Sequence, residues 1–228
     1  MSYVIQAVLS NPRRPECGQI TIPFPIPVDQ YDQTIEMLQK VDLGFSVNRD
    51  CTVAEVNSRY NVLNALVGKL VNIDQLDYLA KRLDSFCSGE VSQFEAMAHK
   101  LGLADIKDFI NLTYCCQQAT VITDFSNLEA VGRSHFMALN GGCARMEELE
   151  SLDGAETALL LIDGGGGVIT PYGVVYNNGM VLEQQYNGHQ LGSTAAMTRA
   201  MCISTICPPL AATTCVSWKM RDIWWIPS

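Results

Sequence analysis

Basic residues are scarce in this chain of 228 residues: 15 Lys and Arg stand against 24 Asp and Glu, giving a net charge of -9 and an isoelectric point near 4.7. Gripping a phosphate backbone takes a basic stripe, so the composition argues against direct nucleic-acid binding. Histidine is scarcer still, with only His99, His135 and His189, and the nine cysteines form no C-x-x-C pair. No metal signature follows, and the odd cysteine count reads as reduced thiols of a cytoplasmic protein. No basic segment precedes the first apolar residues, Tyr3-Val4-Ile5, so export is not indicated. The one long uncharged run, residues 200–218, contains Pro208-Pro209 and many Ser and Thr, which makes it a poor membrane span. A nucleotide loop is missing too. Asp163-Gly164-Gly165-Gly166-Gly167 lacks a following Lys-Ser/Thr, and it is expected to join two strands instead of opening a helix.

What is present is ordinary globular composition, 48% hydrophobic and 17% charged, which excludes disorder and supplies a sizeable core. Residues 3–9 and 19–26 are apolar and β-branched with turn chemistry between them, so a hairpin is expected, its second strand at an edge because of Pro23, Pro25 and Pro27. A helix over 29–39, with Asp29 as its cap, and a strand over 43–48 complete a small α/β unit.

A helical stretch is expected over residues 52–139. Thr52-x-x-Glu55, Ser92-x-x-Glu95 and Ser126-x-x-Glu129 each match the capping box, in which hydroxyl and carboxylate satisfy two orphan amides at a helix start. Helices are predicted over 52–66, 72–86, 92–101 (closed by Gly102), 105–112 and 128–139, with a strand over 118–123. Beyond an acidic segment at 146–153, short strands are expected over 158–162, 168–169, 173–176 and 180–185, with Asn177-Asn178-Gly179 as a hairpin turn. The fold class is therefore α+β and multi-domain. A small N-terminal α/β unit (1–50) precedes a central helical domain (51–142), a C-terminal acidic and small antiparallel β region (143–189), and an atypical tail (190–228). The tail reads as an altered terminus outside the working surface.

Outward helix positions are expected to carry Asp74, Asp77, Asp84, Asp105 and Asp108, and the densest acidic run holds Glu147, Glu148, Glu150 and Asp153. Two readings fit these carboxylates: a solvated face with acids at helix starts, or an acidic surface made for a basic partner. For catalysis, Cys115-Cys116 is the candidate nucleophile pair with His99 or His135 as base. No cofactor is indicated.

Residues 51–66, "CTVAEVNSRYNVLNAL", and residues 74–142, including "LDYLAKRLDSFCSGEVSQFEAMAHKLGLADIKDFINL", "TDFSNLEAVGRSHF" and "LNGG", resemble the ArdA family of antirestriction proteins. The resemblance implies an elongated, non-catalytic and often dimeric protein of mobile genetic elements. Its surface carboxylates would imitate DNA phosphates and occupy the DNA groove of a type I restriction-modification enzyme. A duplex of about 20 base pairs presents on the order of 40 phosphates. With 24 carboxylates and a net -9 per chain, mimicry requires acids on one face and bases elsewhere. The alternative is an acidic protein-protein adaptor of a mobile element, without mimicry.

Overall fold

The computed structural model of the protein describes residues 3–43 and 49–188. It is an α+β fold containing two small antiparallel sheets. Strand β1 (Ile5–Ser10) forms the expected hairpin with β2 (Gln19–Phe24), and β2 lies at the sheet edge, where its proline needs no ladder donor. Helix α1 (Tyr31–Lys40) begins two residues later than expected. Asp29 sits in the preceding 3-10 turn Val28–Gln30, and Gln30 occupies the cap position without a side-chain bond. The strand expected over 43–48 falls mostly on residues outside those described; Leu43 itself is buried, its amide donating to the Leu38 carbonyl.

The first expected helix, over 52–66, does not form. Residues 50–58 form strand β3 (Asp50–Ser58), paired with β1 on one side and with β4 (Leu70–Asn72) on the other. Residues 61–66 form a 3-10 helix, Asn61–Leu66. Thr52 therefore caps nothing and Glu55 is an exposed strand residue opposite Val8. The register slips between Val8 and Leu9, so Ala54 is left over between Val53 and Glu55 as a bulge. Inward positions become Cys51, Val53 and Val56, and the last step of three imitates helical spacing. The four-stranded sheet, in order β2-β1-β3-β4, thus joins residues on both sides of position 50.

Helix α2 (Ile73–Asp84) matches its pattern. Asn72 caps it by accepting from the Asp74 amide at 2.9 Å, Gln75 reaches back to the Asn72 amide, and Leu76, Leu79 and Leu83 are fully buried against the sheet. Helix α3 (Ser88–Leu101) starts a turn earlier than expected. Glu90 accepts from the Cys87 amide at 2.9 Å, Ser92 lies inside the helix, and Gly102 ends it at φ 62° as a left-handed cap. Helix α4 (Ile106–Leu112) follows, capped by Asp105. Phe94 on α3 packs edge-on against Tyr60 and Phe86 and tilted against Phe109, at ring-centroid separations of 5.8, 5.9 and 6.1 Å. One continuous core includes residues from Val4 to Tyr186.

Strand β5 (Thr120–Ile122) leads to α5 (Leu128–Leu139), whose cap is Asn127, not Ser126: Asn127 accepts from the Ala130 amide at 3.0 Å while Ser126 bonds to Asp124. Helix α6 (Met146–Ser151) carries the acidic run. Residues 158–162, expected as a strand, belong to helix α7 (Gly154–Asp163), which Asp153 caps by accepting from the Glu156 amide at 2.9 Å. The glycine run therefore joins a helix to β6 (Val168–Thr170), which forms a hairpin with β7 (Gly173–Tyr176) in the sheet order β5-β7-β6. Asn177-Asn178-Gly179 does turn, with φ 51° at Asn178 and 76° at Gly179, but no strand follows it among the described residues, so the strand expected over 180–185 does not form. Residues 180–188 are held by side chains instead. Fully buried Asn111 accepts from the Tyr186 amide at 2.7 Å and donates to its carbonyl at 2.9 Å, and Gln75 donates to the Tyr186 hydroxyl. The tail expected over 190–228 lies outside the described residues.

Candidate functional site

The acidic residues fall into two populations. Asp77, expected on an outward face, is buried at 8% exposure: Asp77 Oδ1 accepts the Ile26 amide at 2.7 Å and Oδ2 lies 2.6 Å from Lys81 Nζ. Glu95 is likewise buried, accepting the Asn61 amide at 2.9 Å, and burial pushes its pKa above the ordinary 4.5. Neither can face a partner. Asp74 is exposed with Arg49 3.7 Å away, Asp84 is exposed, Asp105 is an exposed cap, and half-buried Asp108 accepts from Gln184. The expected set on the central helices is therefore dispersed among structural tasks and basic neighbours.

Charge divides sharply along the chain. Residues 3–107 hold thirteen carboxylates and ten Lys or Arg. From Asp108 to Gly188 there are ten carboxylates, namely Asp108, Asp124, Glu129, Glu147, Glu148, Glu150, Asp153, Glu156, Asp163 and Glu183, against Arg133 and Arg145 alone. Only Asp108 and Glu129 of these ten are half-buried; the other eight are exposed. Arg133 is committed to Glu129 on its own helix at 2.7 Å. That bond, with help from the Ala155 amide, lowers the Glu129 pKa, and the Ser126 amide and hydroxyl lower that of Asp124, so both remain ionised at neutral pH.

Two of the helices that carry these acids, α5 and α7, approach each other closely at a pair of glycines. Gly132 in α5 meets Gly154 in α7 so closely that a Cβ on Gly154 would lie 2.5 Å from the Glu129 carbonyl oxygen. A glycine inside a helix costs about 1 kcal/mol relative to alanine, and the close approach explains its presence here. Glu156, which follows the acidic run closely in the sequence, and Asp163, which was not among the expected acids, both lie exposed on α7; the Asp153-x-x-Glu156 helix start is the signal that places them there.

The cysteine candidates are placed differently from a nucleophile. Burial raises the pKa of Cys115 and, more strongly, Cys116, whereas a reactive thiol needs the opposite shift. The Cys115 thiol donates to the Asn111 carbonyl at 3.7 Å. His99 packs its ring against Tyr172, and His135, its pKa lowered by burial, shares a 2.8 Å hydrogen bond between Nδ1 and Thr120 Oγ1. Among the described residues no disulfide links the six cysteines, no group of three or more His, Cys, Asp or Glu is placed to hold a metal, and no helix is long and apolar enough to cross a membrane.

Comparison with protein-family models, curated proteins and solved structures finds no match to this chain.

Proposed function

We propose that this protein is a non-catalytic, cytoplasmic antirestriction protein of the ArdA type, acting as a dimer. In this reading its acidic half imitates duplex phosphates in the DNA groove of a type I restriction-modification enzyme. The observation that supports this reading is the uneven charge along the described residues: eight exposed carboxylates against two arginines over residues 108–188, where α5, α6 and α7 lie, compared with ten Lys or Arg among thirteen carboxylates over residues 3–107. Mimicry requires a stretch poor in bases, because Lys and Arg interspersed among the acids would cancel the field that steers a basic groove onto them. The contact surface in this proposal is Glu147, Glu148, Glu150 and Asp153, extended by Glu156 and Asp163. Asp74, Asp84, Asp105 and Asp108 contribute at its margin, and Asp77 does not. Reversing Glu147, Glu148 and Glu150 to Lys tests it in a restriction assay: inhibition is expected to fall at least tenfold with the fold intact, and unchanged inhibition by the folded variant contradicts it.

A further inference from the structure

Beyond the turn at 177–179, residues 180–188 pair with no strand among the described residues, yet they are seated across α2 and α4. The Glu183 amide lies against the Cys115 thiol and Tyr186 lies at Asn111, so the segment runs antiparallel to residues 111–115. What holds it is a side chain that reads main chain. Fully buried Asn111 takes both polar groups of Tyr186, accepting its amide at 2.7 Å and donating to its carbonyl at 2.9 Å, as a neighbouring strand would. Gln75, from α2, donates to the phenol oxygen at 2.7 Å, and Tyr186 is buried in the main core. Main-chain bonds of this kind give a site affinity for an extended peptide, and a pocket with a polar reader at its end gives specificity for one side chain. Between its two buried anchors, Met180 and Tyr186, the segment exposes Val181, Glu183, Gln184 and Gln185 and leaves Leu182 half-buried. So little apolar area secures it that it can lift without unfolding the helices beneath.

We propose that Asn111 and Gln75 form a peptide-binding site for an extended segment bearing tyrosine, that residues 180–187 are its resident ligand, and that a tyrosine-bearing segment of a partner protein takes their place when they lift. The site is independent of the antirestriction reading. A tethered occupant acts at an effective concentration on the order of millimolar, so a free peptide binds in proportion to the open fraction. Fluorescence anisotropy with a labelled peptide of residues 180–188 tests this on the full chain. Tyr186→Ala, which empties the phenol pocket and leaves Asn111 and Gln75 in place, should bind the peptide saturably and about tenfold or more tighter than the unmodified chain does. The peptide carrying Tyr186→Phe, which lacks the oxygen that Gln75 bonds, should bind severalfold more weakly, and the peptide carrying Tyr186→Ala should not bind. Absence of saturable binding by the folded variant overturns the proposal, as does binding indifferent to the change of Tyr186 in the peptide. A second measurement needs no substitution: in the unmodified chain the Tyr186 amide should exchange hydrogen about a hundredfold or more faster than the Leu79 and Ile110 amides inside the two helices. Exchange at Tyr186 as slow as theirs, which means release only on global unfolding, also overturns it.

Discussion

The Ile26 amide donates to Asp77 Oδ1 at 2.7 Å, so a carboxylate on α2 ties down the chain just beyond β2 from inside the molecule. Lys81, one turn on, balances its charge at 2.6 Å. Asp77→Ala strands a buried N–H and should lower the unfolding free energy by about 1–3 kcal/mol in urea. Inhibition by the folded fraction should stay unchanged. A loss of inhibition at full stability would return Asp77 to the contact surface.

Gly154→Ala should cost about 1–3 kcal/mol, because the new methyl group meets the Glu129 carbonyl and α5 and α7 must separate. Hydrogen exchange should rise in α5 and α7 and stay constant in α2. Unchanged exchange in α5 would show that the two helices do not depend on that approach.

Glu95 gives the stability a pH dependence of known sign. Its folded pKa is raised by burial, so the folded chain holds this proton more tightly than the unfolded chain does. The stabilisation is complete below 4.5 and is lost as pH rises through the folded value. Glu95→Gln keeps an acceptor for the Asn61 amide without a charge, so its advantage over the unmodified chain should grow as pH rises from that point. Denaturation curves collected across pH that remain parallel for the two proteins would contradict this.

Burial pushes the Cys51 thiol up to about 12 and lifts Cys115 and Cys116 as well, while Cys143 is exposed. Native alkylation at neutral pH, mapped by peptide mass, should therefore modify Cys143 and spare Cys51, Cys115 and Cys116 until the chain unfolds. Labelling of Cys115 or Cys116 at the rate of Cys143 would reopen the cysteine-enzyme reading.

Where local chemistry and tertiary packing agree, the sequence was sufficient: the β1–β2 hairpin with its proline-bearing edge, α2 with its apolar face, and α5 from Leu128 to Leu139. It failed where one pattern had two causes. The bulge at Ala54 turned alternation into a step of three, and Thr52-x-x-Glu55 then resembled a helix start. The apolar run at 158–162 is short enough for a strand, and only its cap at Asp153 distinguishes the helix. At the site, the run from Glu147 to Asp153 was legible because composition alone exposes it. Asp77 was not, although its place four residues after Ile73 and three before Ala80, both buried, marks the inward face.

If the acidic half occupies a DNA groove, duplex DNA and this protein must compete for the same enzyme. Binding of the protein to a type I methyltransferase complex should be measured at two salt concentrations with increasing competitor duplex. Displacement by the duplex, together with weaker binding at higher salt, is the predicted result. Binding indifferent to the duplex would contradict it and leave the adaptor reading in its place.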